Sequence, residues 1–329
     1  MKVLIFNSTK EEVDYIKERN IDFGFELAFA DFDFNAAGMA QFRGYDALWI
    51  VTNCKITAER SDVISKAGVK YIVSRAAGTD HMDIAAMKSA GLLAANVPRY
   101  SPNAIAEHTV CLILMALRKM KRELRMIEQY DFSLTGLKGR ELRNLTVGIL
   151  GTGRIGAETI QLLRGFGCRL LVYDLYENSG VAHLVTYCEQ QQLLEQSDIL
   201  VLHCPLTKEN ERLINSDSIA KMKEGVVIIN TARGGLMDYA AVLKELEQGK
   251  ISAVAFDVYD NEGDFIRKKV EPATVEDQVL KKLLEKDNVI YTAHMSFFTD
   301  TAIENMILSS LENLQEYRQT GVCSNEIIL

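Results

Sequence analysis

The chain has 329 residues, 48% hydrophobic and 25% charged, the proportions of a globular protein that buries a substantial core. At roughly 100–200 residues per domain, two domains are expected. With 37 basic against 45 acidic side chains, the net charge of −8 and a pI near 5.3 argue against nucleic acid or an anionic membrane as the main partner. Either would want a basic face, whereas a small anionic substrate needs only a few local arginines. The opening MKVLIFN holds too few apolar residues for a secretory leader. The longest apolar run, Val110–Leu117, is less than half a membrane span, so a cytoplasmic chain is expected. Cys54, Cys111, Cys168, Cys188, Cys204 and Cys323 are scattered without a C-x-x-C pair and read as buried, reduced thiols.

Taken in chain order, short apolar runs alternate with amphipathic stretches. Strands are expected at Lys2–Phe6, Ala47–Val51, Tyr71–Ser74 and Leu92–Asn96. A second series follows at Leu145–Leu150, Arg169–Asp174, Asp198–His203, Val226–Thr231, Ile251–Val258 and Asn288–Thr292. This alternation predicts an α/β fold of parallel sheets covered on both faces. Between the two series, Pro102 to about Tyr130 reads as one long helix, with Ser101 as its cap and Pro102 in its first turn. Thr299–Thr320 is a last amphipathic helix without a strand of its own, and the first sheet is the candidate to receive it. The expected domains are therefore 1–100 with 300–329, and 101–299 inserted between them.

The strongest local signal is Asn144–Asp174, NLTVGILGTGRIGAETIQLLRGFGCRLLVYD. A buried strand runs into Gly151-Thr152-Gly153-Arg154-Ile155-Gly156, and a helix follows. Gly151 permits a tight turn, Gly153 admits a pyrophosphate to the backbone, and Gly156 lets helix and strand pack closely. Asp174 ends the next strand, placed for ribose hydroxyls and repelling a 2′-phosphate, which favours NAD over NADP. Arg154 is either a pyrophosphate partner or a surface charge.

Three further segments end predicted strands: Asn230–Asp238, Phe256–Asp264 and Tyr291–Asp300. Reduction of a 2-oxo acid needs a cation for the carboxylate and carbonyl, an acid to protonate the alkoxide, and a group that keeps that acid protonated. Arg233 offers a planar, permanently charged fork, His294 a proton donor near working pH, and Glu262 a carboxylate for the imidazole. The five histidines show no H-x-x-x-H spacing, so no metal site is expected.

With these residues in this order, the sequence resembles the D-isomer-specific 2-hydroxyacid dehydrogenase family over essentially its whole length, and most of all its D-lactate dehydrogenase branch. Tyr71–Asp83, Val97–Thr109, Val147–Gly156, Phe132–Gly139, Leu202–Asn210, NTARGG and DVYDNEGD carry the resemblance. It implies two Rossmann-like domains with doubly wound parallel sheets, the substrate domain flavodoxin-like and discontinuous. It implies Arg233, Glu262 and His294 as the catalytic trio, and the backbone at Ala77 and Gly78 as the carboxylate cradle, with Tyr100 lining the pocket. Asp257 would meet the nicotinamide carboxamide, and His203, Cys204, Pro205, Thr231 and Ala232 would line the cofactor groove. A homodimer through the NAD-binding domain and closure of an interdomain cleft are also implied. Pyruvate is the first substrate expected. Arg99, where many D-lactate dehydrogenases have alanine, points instead to a second carboxylate as in 2-oxoglutarate, unless it is a surface charge. Phe298, where relatives often have tyrosine, points to aromatic or branched 2-oxo acids. A non-catalytic NAD-sensing interaction protein is the alternative from another class.

Overall fold

The computed structural model describes residues 1–260, 262–266 and 269–327, and the chain divides into two units, Met1–Ser101 with Phe298–Leu329, and Pro102–Phe297. Both are parallel α/β layers, in agreement with the expected class.

The first unit contains β1 (Lys2–Ile5), β2 (Glu26–Phe29), β3 (Ala47–Ile50), β4 (Tyr71–Ser74) and β5 (Leu93–Ala95), ordered β2-β1-β3-β4-β5 and all parallel. Its helices are α1 (Lys10–Arg19), α2 (Met39–Phe42), α3 (Ala58–Lys66), α4 (Ile84–Ser89) and the last of the chain, α12 (Asp300–Thr320). Successive strand residues point to opposite faces, and the core divides accordingly. Leu4, Leu48, Ile50, Ile72 and Ala94 pack with Phe34, Phe42 and Ile64 on one side. Val3, Ile5, Trp49, Val73 and Ala95 pack on the other, against Ile307, Leu311, Leu314 and Tyr317 of α12. β2 had no counterpart in the sequence reading; it is an edge strand with no fully buried residue.

The second unit has β6 (Thr146–Leu150), β7 (Arg169–Tyr173), β8 (Thr186–Tyr187), β9 (Ile199–Leu202), β10 (Val226–Asn230), β11 (Ile251–Phe256) and β12 (Val289–Tyr291). Their order, β12-β11-β10-β9-β6-β7-β8, reverses between β6 and β9, the switch point at which open α/β sheets bind ligands. The covering helices are α5 (Pro102–Leu117), α6 (Met120–Glu128), α7 (Arg154–Arg164), α8 (Gln190–Gln196), α9 (Ser216–Lys221), α10 (Tyr239–Gln248) and α11 (Gln278–Glu285). Every residue of β6, β9 and β10 is buried, as a sheet covered on both faces requires.

The expected single helix from Pro102 to Tyr130 is corrected: α5 ends at Leu117, and Lys119 adopts a left-handed φ of 54° before α6 begins. The break has a tertiary cause. The backbone N–H of Arg140 bonds Leu117 O at 3.2 Å, and a Cβ on Gly139 would lie 2.6 Å from that oxygen, so a returning segment crosses the helix end. Beyond the break, Lys121 Nζ donates to the carbonyls of Leu284 and Lys286, at the C-terminus of α11, and of Val289, at the start of β12, at 2.8–2.9 Å.

Candidate active site

The glycine turn lies at the C-terminal end of β6, and its geometry explains each small residue. Gly151 has φ +102°, and a Cβ there would come within 2.7–2.8 Å of the His203–Cys204 backbone. A Cβ on Gly156 would stand 2.1 Å from Gly151 O, so the first turn of α7 is pressed onto the strand. Around the Cβ position of Gly153 nothing lies within 4 Å. The turn thus leaves one open face, ahead of the N-terminus of α7, where backbone N–H groups and the helix dipole favour an anion. That fits a dinucleotide pyrophosphate. Arg154 is exposed and Ile155 half-buried beside this face.

Asp174, one residue past β7, accepts from the Thr152 backbone N–H at 2.5 Å and the Thr152 hydroxyl at 3.1 Å. The neighbouring wall is held from within the core. His203 Nε2 meets Thr159 Oγ1 at 2.8 Å, and that hydroxyl donates to Ile155 O, so the imidazole Nε2 donates. Burial pushes the His203 pKa down to about 4, and that of the Cys204 thiol up to about 11. Pro205 is exposed, while Asn210 Nδ2 bonds its carbonyl at 2.7 Å. Thr231 is buried with its hydroxyl 2.8 Å from that of Thr109.

Arg233, Glu262 and His294 all belong to the second unit, in the loops that follow β10, β11 and β12. Arg233 is half-buried; a fully buried Asn230 folds its loop by accepting from Ala232 N at 3.0 Å and donating to Arg233 O at 2.8 Å. Gly234 admits the turn after β11, because a Cβ there would lie 2.4–2.6 Å from the Tyr259–Asp260 backbone. The Glu262 carboxylate is divided between two donors: Oε1 contacts His294 Nδ1, and Oε2 accepts from Tyr259 N at 3.0 Å. A carboxylate on Nδ1 fixes that nitrogen as the N–H donor and leaves Nε2 for exchange with a ligand. The preceding Asn261 lies outside the described residues.

His294 sits on an unusual backbone. Ala293 and His294 are both left-handed, with φ of 50° and 57°, a pairing that costs non-glycine residues free energy. Asp257, fully buried, holds them in place. Its Oδ1 accepts from the Thr292 hydroxyl at 2.6 Å and Met295 N at 2.8 Å, its Oδ2 from Ser296 N at 3.0 Å, and its carbonyl from His294 N at 2.5 Å. His108 of α5 approaches the Thr292 hydroxyl at 3.0 Å, and burial lowers its pKa against the pull of Asp257. The carboxylate expected to meet the nicotinamide is therefore engaged by the loop that carries the imidazole.

The five residues expected to bind substrate all fall in the first unit. Ala77 and Gly78 follow β4; Asn96 Nδ2 bonds Ala77 O at 2.7 Å, and Val97 N bonds Ala76 O at 3.0 Å. Tyr100 O accepts from Asn305 Nδ2 of α12 at 2.6 Å. Arg99 is exposed and makes no ion pair among the described residues, and Phe298 is 55% exposed. Asn96, Asn230, Thr292 and His108 were not singled out from sequence. The available signal was position, since the first three stand at or just past the C-terminal ends of strands.

A dinucleotide turn at a switch point, together with a carboxylate-bound histidine and an arginine at the same edge of the sheet, defines an NAD-dependent dehydrogenase. Comparison with known proteins gives the family. Residues 110–296 match the NAD-binding domain of the D-isomer specific 2-hydroxyacid dehydrogenases. The chain is 39% identical to an aromatic 2-oxoacid reductase of Clostridium sporogenes, over 99% of both chains. It is 35% identical to a D-lactate dehydrogenase of Escherichia coli, over all of both. The solved structure of a D-2-hydroxyisocaproate dehydrogenase superposes with a TM-score of 0.88 at 32% identity, covering 99% of each chain. The chain belongs to the D-isomer-specific 2-hydroxyacid dehydrogenase family, as its motifs imply, and the second unit carries that family's NAD-binding domain.

Proposed function

We propose that the chain reduces a 2-oxo acid with an apolar side chain, in the range from pyruvate to phenylpyruvate, to the (R)-2-hydroxy acid. The observation that carries this reading is the contact of Glu262 with His294 Nδ1. Arg233 holds the substrate carboxylate and draws electron density from the 2-oxo group. His294 delivers the Nε2 proton to the carbonyl oxygen, and Glu262, in contact with Nδ1, fixes the ring for that transfer. NADH, when bound, supplies the hydride. The glycine turn and Asp174 hold its pyrophosphate and ribose, with His203–Pro205 and Thr231–Ala232 along the groove. Within the first unit, the backbone at Ala77 and Gly78 and the side chain of Tyr100 are the proposed substrate contacts.

The exposure of Phe298, together with the aromatic and branched substrates in the names of two relatives, supports an apolar side chain. The exposed Arg99 favours a second reading, 2-oxoglutarate. A homodimer through the second unit belongs to the proposal. It is supported by Tyr130, Phe132 and Leu134, which are 84%, 74% and 83% exposed next to Leu124 and Ile127 of α6; sedimentation at a monomer mass would remove it. A cytoplasmic setting rests on the scattered cysteines. The test of function is NADH oxidation with pyruvate, phenylpyruvate, 2-oxoisocaproate and 2-oxoglutarate in parallel. A kcat/KM roughly tenfold higher for one acid, about 1.4 kcal/mol of discrimination, names the substrate. No turnover of any of them, with NADH bound, refutes the reading in favour of NAD sensing.

A further inference from the structure

The shortest strand of the second unit carries a side chain that reaches back to the glycine turn. Tyr187 of β8 donates its hydroxyl to Thr152 Oγ1 at 3.1 Å and accepts from Asn178 N at 2.8 Å. Asn178 in turn donates its side-chain amide to Thr152 O at 2.8 Å, and its own Oδ1 accepts from Gly180 N at 3.0 Å. The direction of the chain is determined. An ionised carboxylate only accepts, so Thr152 must donate to Asp174, and must therefore accept from Tyr187. Asn178 N–H, Tyr187 O–H and Thr152 O–H thus point the same way and end on Asp174 Oδ2, each bond polarising the next. Asp174 Oδ1 accepts from Tyr176 N at 3.2 Å, which fixes the plane of the carboxylate.

We infer that Tyr187 and Asn178 are positioning residues that, through Thr152, set the orientation of Asp174 and so the preference for NADH over NADPH. A carboxylate held in one plane presents its remaining lone pairs to a ribose diol in a single geometry. It also cannot turn its charge away from a 2′-phosphate. The inference rests on the NAD-binding assignment and not on which 2-oxo acid is reduced, so it stands or falls independently of the substrate.

The experiment is fluorescence titration of the full chain with NADH and with NADPH, without substrate, for Tyr187→Phe, Thr152→Val and the conservative Thr152→Ser, each with a melting curve. Tyr187→Phe and Thr152→Val should weaken NADH about 5–10-fold and shrink the ratio of NADPH to NADH dissociation constants at least about fivefold. Thr152→Ser should keep the wild-type ratio. Equal weakening of both nucleotides, or a ratio within twofold of wild type in the folded variants, overturns the inference. So does failure of both Tyr187→Phe and Thr152→Val to fold, which would make the hydroxyls a requirement of the turn itself.

Discussion

Replacing Asp257 by asparagine separates two roles for this carboxylate, holding the His294 loop or meeting the cofactor. The carboxylate accepts from three donors: the Thr292 hydroxyl, Met295 N and Ser296 N. Asparagine has one acceptor oxygen and one donor amide. In one orientation the amide faces Ser296 N–H; in the other it faces Met295 N–H and the Thr292 hydroxyl. Either way a buried donor loses its acceptor, at a cost of about 1–3 kcal/mol, and the surviving bonds lose charge assistance. Against the clamp stand two left-handed residues, Ala293 and His294, at roughly 1–2 kcal/mol each. The two sides are comparable, so weakening the clamp lets the loop relax. Displacing His294 by about 1 Å is enough for a loss approaching a hundredfold. Asp257→Asn should therefore lower kcat about 10–100-fold while changing the NADH dissociation constant less than about threefold. Steady-state kinetics and NADH fluorescence titration read the two quantities. A kcat within twofold of wild type, or NADH binding lost while kcat is kept, would refute the reasoning.

The glycine turn predicts a contrast: Gly153→Ala should melt within about 2 °C of wild type yet weaken NADH at least about tenfold, whereas Gly156→Ala, with its Cβ 2.1 Å from Gly151 O, should lower the stability of the second unit by about 1–3 kcal/mol or more. Calorimetry and the same titration distinguish them. Acid should weaken the fold through His81 and His203, whose pKa values burial pushes down to about 4. Because the unfolded histidine, near 6.5, takes up the proton first, stability is complete above about pH 6.5 and falls as the pH drops toward 4, by about 2 kcal/mol per histidine at pH 5. Urea unfolding at pH 7 and pH 5 measures this, and a His203→Gln variant with an unchanged slope would contradict it. Lys121→Met removes the three carbonyl bonds that tie α6 to the end of α11 and the start of β12, about 2–3 kcal/mol; a melting temperature lower by roughly 4–12 °C with kcat unaltered is expected.

The elements most legible in the sequence were those whose signal is local. TVGIL, ILVL and VVIIN are apolar but for Thr146 and Asn230 at their ends, because both faces of the sheet are covered. β2 and β8 are edge strands that bury little, so neither periodicity nor composition marked them. The helical period of Pro102–Tyr130 was legible, but its interruption was not. That depends on Gly139 and Arg140 arriving at Leu117 O from a later segment, a contact that no window around Lys119 contains. Arg233, Glu262 and His294 were each ambiguous alone and gained meaning from their order and their place after strands. The residues that hold them carried no such mark. Asn230 and Thr292 are single polar residues at strand ends, and the three bonds of the Asp257 carboxylate to the His294 loop are visible only in three dimensions.

The double use of Thr152 by Asp174 also limits how this protein could change coenzyme. Exchanging the acid for a small neutral residue, the obvious step toward a phosphorylated ribose, would strand a buried N–H and hydroxyl. Each orphaned donor costs about 1–3 kcal/mol, a substantial part of a typical domain's margin. An evolutionary or engineered route must therefore alter position 152 together with, or before, position 174.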